Sequence, residues 1–422
     1  MDMESDSLTK MKRTKTHQED CQPSNGFENL PPEITFDILS QLPITSLVQF
    51  KYVCRSWRLI GQDPNLLEEY SSRTSEENPC IIFHYDSPIR NELFFVDLHG
   101  DSYRDQNQSH PVRKIRTPFS SSMPEYDVVG SCNGLLCLSD SLYNDAIYIY
   151  NPFTRDYREL PKTNRYPDQE VVFGFGFHPI TKEYKVIKII YYYKDGNKGH
   201  HHVSHRFRVP TQSEVQVLTL GSSSSRWRSL GKVSHYLHHC PAVLVQGRLH
   251  WMTCRPRYRT GRNLVSFDLG EEKFCEVAKP DVMGMRRCDY HLVAVRGCLA
   301  AAFYLNYGKM EIWVMKEYGV KESWTKEFVI RSNISKAIKE VNQCSSIACG
   351  SVSKFSVKGR PVRVVCVLKS GEILLEYKSR ALTLYNPQTG KHKDLVFQGM
   401  PNWFHSIVHA GTLNQIHTLI GT

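Results

Sequence analysis

The 422-residue sequence contains no apolar run of about 18 residues, the length that a membrane-spanning helix needs. Its polar start, MDMESDSLTKMKRTK, also lacks the apolar stretch of a secretory signal. These two absences predict a protein of the cytoplasm or nucleus without a membrane partner. The thirteen cysteines are an odd number and are scattered along the chain, which predicts reduced thiols and no disulfide framework.

The usual motifs of hydrolases and metalloproteases, G-x-S-x-G and H-E-x-x-H, are absent, and Gly174-Phe175-Gly176-Phe177 lacks the Lys-Ser/Thr ending of a phosphate loop. A histidine-rich region is the strongest candidate for a zinc site. Its first group lies among Gly, Lys and Asp without paired cysteine spacing, which favours a solvated insertion, so we predict no metal and no cofactor. The residues of this region are His200, His201, His202, His205, His235, His238, His239 and Cys240.

The composition, 41% hydrophobic and 23% charged, is typical of a globular protein with room for a small module and one large domain. Residues 1–25 have almost no large apolar side chains and are predicted to form a disordered tail. The net charge of +10 is spread along the chain, and no nucleic-acid-binding motif accompanies it. We therefore predict no nucleic-acid partner.

Two amphipathic helical patterns occupy residues 30–60. In the first, Ile34, Ile38 and Leu42 recur every four residues until Pro43 ends the helix. A segment this short does not close a core of its own, so its apolar stripes require another surface. Periodicity leaves two candidates open, the following domain and a separate partner. The second pattern contains Leu47, Phe50, Val53, Cys54 and Trp57.

The order of these residues resembles the F-box. The start L-P-x-E-I at Leu30, the L-P pair at Leu42 and the run V-C-R-S-W-R from Val53 carry the likeness, which covers residues 27–70. The resemblance implies a three-helix module over residues 26–72 that binds the Skp-family adaptor of an SCF-type ubiquitin ligase and, through it, cullin. The residues that it assigns to adaptor binding are Leu30, Pro31, Ile34, Ile38, Leu42, Pro43, Leu47, Phe50, Val53, Cys54 and Trp57.

After a polar linker at residues 73–79, helical spacing gives way to short apolar runs separated by Gly, Pro and Asn, a pattern typical of strands. Only Ser335–Val341 looks helical. The predicted strands are Cys80–Tyr85, Leu93–Val96, Ala146–Tyr150, Tyr184–Ile189, Val215–Leu218, Leu264–Phe267, Glu311–Val314 and Leu382–Tyr385.

The strands repeat a unit in which a glycine leads an apolar strand and a loop and second strand follow. The unit occurs at Gly134, Gly247, Gly297 and Gly371, and its second strand ends in a turn at Asn151, Asp268 or Asn386. Gly247 and Gly297 are 50 residues apart, near the period of a kelch-type blade. Residues 80–422 therefore predict a propeller of six or seven blades rather than a β-sandwich, which would not need four such units.

The second domain also resembles the F-box-associated domains of plant F-box proteins. The segments SCNGLLCL, YNPFTRDYRELP and FGFGFHPITKEYKVIKI carry this likeness from residue 131 onward. The resemblance implies a kelch-like β-propeller that receives a protein substrate. The predicted fold is thus mainly β with a small α module, an N-terminal three-helix F-box followed by a kelch-like β-propeller.

Two functions of different classes fit this organisation. One is a non-catalytic receptor subunit of a ubiquitin ligase, and the other is a propeller-fold enzyme whose helices cap the ring. Convergent His, Tyr or carboxylate side chains in a central channel would favour the enzyme.

The loops after the glycine-led strands are predicted to emerge on one face of the ring and to bind the unknown substrate. Arg and Tyr are enriched at interface hot spots, and guanidinium groups suit carboxylate or phosphate, so one basic loop is a candidate site for an acidic or phosphorylated segment. A solvated basic loop is the alternative. The loops are Ser139–Asp145, Thr253–Arg262, Asn306–Lys309 and Lys378–Arg380, and the basic one carries Arg255, Arg257, Tyr258, Arg259 and Arg262.

Overall fold

A computed structural model gives the structure of the protein. The predicted N-terminal tail and the predicted helix Ser335–Val341 lie outside the residues that it describes. Those residues are 30–76, 79–85, 89–98, 111–164, 169–193, 210–221, 226–237, 240–253, 263–280, 290–305, 309–330, 362–377 and 379–420.

Four helices form the N-terminal module. Pro32 is the first residue of the first helix, where its missing N–H leaves no hydrogen bond unmade. The Cys54 sulfur caps the third helix by accepting from the Trp57 N–H at 3.4 Å. The fourth helix is one more than the predicted three-helix module contains, and it includes residues 73–76, which the sequence predicted as linker. Arg73 in its last turn pairs with Glu69 at 3.1 Å. The helices are α1 (Pro32–Ser40), α2 (Ile44–Phe50), α3 (Arg55–Ile60) and α4 (Pro64–Glu76).

Six four-stranded antiparallel sheets follow and make a six-bladed propeller, which confirms the predicted fold. In every blade but the first, four consecutive strands run from the innermost to the outermost position. Blade 2 contains β4 (Tyr126–Cys132), β5 (Leu135–Asp140), β6 (Ile147–Tyr150) and β7 (Tyr157–Glu159). Blade 3 contains β8 (Glu170–His178), β9 (Glu183–Tyr192), β10 (Gln212–Thr219) and β11 (Arg228–Gly231).

The next three blades repeat the arrangement. Blade 4 contains β12 (Val243–Val245), β13 (Arg248–Met252), β14 (Leu264–Asp268) and β15 (Lys273–Val277). Blade 5 contains β16 (Tyr290–Val295), β17 (Cys298–Tyr304), β18 (Met310–Met315) and β19 (Trp324–Ile330), with a short 3-10 helix at Lys321–Ser323. Blade 6 contains β20 (Val362–Val367), β21 (Ile373–Tyr377), β22 (Ala381–Asn386) and β23 (Lys391–Leu395).

Blade 1 joins the two ends of the domain. Its innermost strand is β24 (Phe404–His409), which pairs with β1 (Cys80–Tyr85), and β2 (Leu93–Asp97) and β3 (Arg113–Ile115) complete the sheet. The register runs from His409 opposite Cys80 to Phe404 opposite Tyr85. A short helix, α5 (Ile416–Ile420), follows β24. Within the described ranges, the helices are too short or too polar to span a membrane.

The repeated glycine marks the hairpin between the first and second strands of a blade. Asn133 and Gly134 have φ of 47° and 79°, and the pairs before β13 and β17 are also both positive. Two successive positive φ angles define the type I′ turn, which matches the twist of the paired strands. Blade 3 lacks this glycine and uses the longer turn between His178 and Glu183, so the interval from Gly134 to Gly247 spans two blades.

The second repeated turn is an Asx turn between the third and fourth strands. The Oδ1 atom of Asn151 accepts from the N–H groups of Phe153 and Thr154 at 3.0 and 3.2 Å. Asp268 and Asn386 accept in the same way from the second and third residues after them, at 2.8 to 3.0 Å. One side-chain oxygen thus replaces a backbone turn in three blades, as the sequence similarity of these segments predicted.

Because neighbouring strands are antiparallel, these turns alternate between two faces of the ring. The type I′ hairpins and Asx turns share one face, which we call the hairpin face. Loops between second and third strands, together with the connections between blades, share the opposite face, which we call the loop face. The predicted common face of the loops after the glycine-led strands therefore follows from the topology.

Candidate partner-binding surfaces

The helical module packs on the hairpin face through one continuous apolar cluster. Leu47 is 0% exposed and, with Ile44, lies in the same cluster as Phe153 of the blade 2 Asx turn and Leu413 near the C-terminus. The Ile44 Cδ1 atom lies 3.0 Å from the position that a side chain on Gly411 would occupy. The module and the ring therefore share a core instead of being joined only by a linker.

The C-terminal segment, residues 410–420, lies between the module and the ring. Asn151, fully buried, donates from Nδ2 to the Thr412 and Asn414 carbonyl oxygens at 3.1 and 2.9 Å. From the module, the Lys51 ammonium donates to the Leu413 carbonyl at 3.3 Å. The segment thus contacts both parts and fixes their relative position.

The structure divides the predicted adaptor-binding residues into two sets. Leu47 and Phe50 are buried against the ring, and Trp57 is half-buried and stacks on Phe50 with ring centroids 4.3 Å apart. Leu42 and Pro43 are also half-buried. In this arrangement Leu47 and Phe50 do not face a separate partner. The exposed set contains Leu30, Pro31, Ile34, Ile38, Val53 and Cys54.

Exposed apolar side chains continue beyond that set. Ile34 is 49% exposed and Val53 is 60% exposed, and Tyr52 and Leu59 are more exposed still. The F-box resemblance did not assign Tyr52, in the turn between α2 and α3, or Leu59 of α3 to adaptor binding. These residues enlarge the apolar surface that the module presents away from the ring.

The loop face carries the predicted substrate-binding loops. Leu142 and Tyr143, between β5 and β6, are exposed, and the Asp140 carboxylate holds their N–H groups at 3.0 and 2.9 Å. The basic loop begins at Thr253 and returns at Asn263, whose N–H donates to the Thr253 hydroxyl at 2.8 Å. The basic loop residues themselves lie outside the described ranges; they are Arg255, Arg257, Tyr258, Arg259 and Arg262.

A buried ion pair ties blade 6 to the closing strand. The Glu376 carboxylate accepts from the Arg363 guanidinium at 2.8 Å and from the Ser406 N–H of β24 at 2.6 Å. Burial alone would raise the pKa of Glu376, but the charges of Arg363 and His405 and these hydrogen bonds lower it to about 2. The carboxylate therefore stays ionised and fully engaged, which suits a structural tie better than acid-base chemistry.

Two histidines of blade 1 are buried in neutral form. Burial lowers the pKa of His409 to about 3. The pKa of His84 is also lowered to about 3, by burial and by the charges of His405 and Arg90. The Nδ1 atom of His409 lies 2.9 Å from the Ser131 hydroxyl of β4 and so links the first two blades. Neither imidazole exchanges protons near neutral pH, so neither is poised as a general base.

One buried lysine has a pKa closer to neutrality. Burial lowers the pKa of Lys188 on β9 to about 8, and the charge of Asp145 partly offsets this effect. Its ammonium donates to the Asn144 carbonyl at 2.8 Å and to the Thr163 hydroxyl, and its side chain is fully buried. These partners place it as a link between blades 2 and 3 instead of at an open site.

In the described part of the chain, no three His, Cys, Asp or Glu side chains lie close enough together to bind zinc or another metal ion. His235 is described and pairs with Glu276 at 2.9 Å. The other histidines of the zinc hypothesis lie outside the described residues; they are His200, His201, His202, His205, His238 and His239.

The architecture of this protein is a six-bladed propeller with a helical module packed on one face. Residues 79–412 match the family model described as the F-box associated beta propeller domain, and residues 27–70 match the F-box-like model. The chain belongs to the F-box associated β-propeller family. The resemblance seen in the sequence is thereby confirmed.

Curated relatives agree with this assignment. The chain is 50% identical over 400 residues to F-box protein At3g07870 of Arabidopsis thaliana, with 93% of each chain covered. It is 26% identical to F-box protein CPR1 of the same plant, over 72% of this chain and 73% of the relative. A third Arabidopsis thaliana protein, F-box/kelch-repeat protein At3g23880, is 25% identical over 71% of this chain and 78% of its own length.

Proposed function

We propose that this chain is the substrate-recognition subunit of an SCF-type ubiquitin ligase. The helical module docks on a Skp-family adaptor and, through it, on cullin, while the propeller holds a protein substrate for ubiquitination. The observation that carries the proposal is the two-sided module. One side is buried on the ring, and the other presents exposed apolar residues, including Ile34, Ile38 and Val53, that require a partner.

The placement of the two surfaces supports this role. The module lies on the hairpin face and the predicted substrate loops on the loop face, so adaptor and substrate bind without competing for space. The shared apolar cluster holds the two surfaces in one orientation. A receptor of this kind accelerates ubiquitin transfer by proximity, because a held lysine reacts as if the step were intramolecular.

The alternative, a propeller enzyme with a helical cap, has less support. Two buried ionisable groups already have structural partners: Glu376 of β21 is paired with Arg363 of β20, and His409 of β24 is neutral and bonded to Ser131. The exposed apolar side of the module would have no purpose in a simple cap. We therefore propose a non-catalytic receptor, with the basic loop at Arg255, Arg257 and Arg259 as part of its substrate surface.

The adaptor surface is tested by comparing a double substitution on the exposed side of the module with a single substitution on its buried side. Ile34→Ala with Ile38→Ala should weaken binding to a purified Skp-family adaptor at least ~30-fold, because truncated interface anchors typically cost 2 kcal/mol or more. The melting temperature should remain close to that of the unmodified chain, since both residues are exposed. Binding is measured by calorimetric titration.

Leu47→Ala is the matched control. It removes a fully buried side chain from the shared cluster and should lower the free energy of unfolding by about 2–5 kcal/mol. Adaptor affinity, measured below the melting transition, should change less than in the Ile34 and Ile38 variant. Unchanged adaptor binding after loss of Ile34 and Ile38 would contradict the proposed docking surface.

A further inference from the structure

Arg380 and Trp403 form a stacked pair on the loop face, outside the basic loop that the sequence singled out. Arg380 lies between β21 and β22, and Trp403 precedes β24. The guanidinium carbon of Arg380 lies 3.4 Å from the centre of the Trp403 ring, which is a close cation–π contact. The pair therefore connects the β21–β22 loop of blade 6 to the start of β24, the innermost strand of blade 1.

The backbone fixes this pair in place. The Phe404 N–H donates to the Ser379 carbonyl at 2.9 Å, so the two connections are bonded directly beside the stacked side chains. Ser379 has φ of 57°, and the Arg380 N–H closes the turn on the Tyr377 carbonyl at 2.9 Å. A guanidinium held by an indole and a tight turn loses little rotamer freedom when it binds a ligand.

Arg380 has no acidic partner within the described residues. Its Nε atom is buried without a hydrogen bond, and neither of its amino groups bonds to a described residue. The neighbouring guanidinium, Arg363, is by contrast engaged with Glu376. Arg380 is thus an oriented cation whose amino groups remain to be satisfied by water or by an anion.

We propose that the Arg380–Trp403 pair anchors an Asp or Glu side chain of the bound substrate, so that the loop face recognises an acidic segment. One guanidinium matches the single charge of a carboxylate, whereas a phosphate of charge about −1.5 to −2 calls for a second cation. Val396, in the same β23–β24 connection as Trp403, is an apolar side chain that is 87% exposed. This role rests on the receptor function proposed above.

The test uses the full chain and an array of degenerate peptides. The peptides share random flanking residues and carry a fixed central Glu, Gln or phosphoserine. The Glu pool should give about tenfold stronger binding than the Gln pool, the size expected for a hydrogen-bonded charge. Arg380→Gln should remove this preference, and Trp403→Leu should reduce it, without changing adaptor binding.

Arg248→Gln is the matched control. Arg248 also lies over an aromatic ring, that of Tyr318 at 4.9 Å, but it is paired with Asp268 and lies at the hairpin face. This variant should keep the preference for Glu. A preference that survives Arg380→Gln would overturn the proposal, and so would tighter Arg380-dependent binding of the phosphoserine pool, which would assign the pair to a phosphorylated segment.

The outcome is also separable from failure of the receptor function. Adaptor binding is measured on the same protein preparation. A chain that binds the adaptor but shows no preference for Glu would contradict the anchor alone. A chain that binds no adaptor would contradict the receptor function on which the anchor depends.

Discussion

His409 shows how a single residue couples the closure of the ring to pH. Its pKa is about 3 in the folded protein and 6.5 when unperturbed, because burial disfavours the charged ring. Between these values the unfolded chain binds the proton more readily, so stability is lost as pH falls below 6.5. The contribution of this residue has a slope of up to about 1.4 kcal/mol per pH unit.

His409→Asn should therefore make the pH dependence of stability shallower between pH 6 and 4. The measurement is the free energy of unfolding from urea titrations at several pH values. His417→Asn is the control, because it replaces an exposed histidine on α5. An identical slope in the His409→Asn variant would show that this imidazole does not carry the proposed part of the acid sensitivity.

Gly134 and Gly297 occupy the same position of equivalent hairpins but differ in their surroundings. Both have positive φ, 79° and 74°, so alanine costs about 1–2 kcal/mol at either position. A side-chain carbon at Gly134 would overlap Thr412 Cγ2, whereas nothing lies within 4 Å of such a carbon at Gly297. Gly134→Ala should thus destabilise the protein by a further ~1–3 kcal/mol, measured by thermal unfolding. Equal melting temperatures for the two variants would contradict this packing.

At the scale of elements, the sequence predicted what local chemistry determines. The Asn133-Gly134 hairpin and the Asn151 turn could be predicted because only a few residue types adopt positive φ angles or accept a turn hydrogen bond through the side chain. The orientation of α2 could not be predicted from the sequence. An apolar stripe such as Leu47 and Phe50 reads the same whether it faces the ring or a partner, and only tertiary packing decides between them.

The pairing of β24 with β1 could not be predicted from the sequence either, because the two strands are more than 300 residues apart and no periodicity relates them. The contact between Arg380 and Trp403 is hidden for the same reason. Each residue looks like an ordinary loop residue until the closing strand brings the two connections together. Ile34 and Ile38, both exposed, are among the residues that the F-box resemblance assigned to adaptor binding, which stays a prediction.

The C-terminal segment is an element whose removal should affect the module more than the ring. Ending the chain after His409 keeps β24 but removes the carbonyl groups that accept from Asn151 and Lys51, together with buried Leu413. We expect faster amide hydrogen exchange in α2 and a lower melting temperature. The Gln415→Ala variant, at an exposed position of the same segment, is the control. Unaltered exchange in α2 would mean that the segment does not hold the module.

At the scale of the whole molecule, the shared apolar cluster makes the module and the ring one cooperative unit. In the organisation predicted from the sequence, a module and a propeller joined by a linker, the propeller would unfold cooperatively without residues 26–70. The structure instead places Ile82, Phe153 and Leu413 beneath the module, so its deletion would expose apolar surface that is now buried. Independent domains joined by a linker would show two separate transitions.

We therefore expect one calorimetric transition for the full chain and a lower melting temperature for the chain without residues 26–70. Deletion should also increase binding of a hydrophobic dye, since the cluster opens to solvent. The exposed-side variant Ile34→Asp is the control for loss of the module surface alone, and it should retain the single transition at nearly the original temperature. Two resolved transitions in the full chain would contradict a shared core. They would also imply that the adaptor and substrate surfaces move independently, because the fixed orientation between the two faces depends on that core.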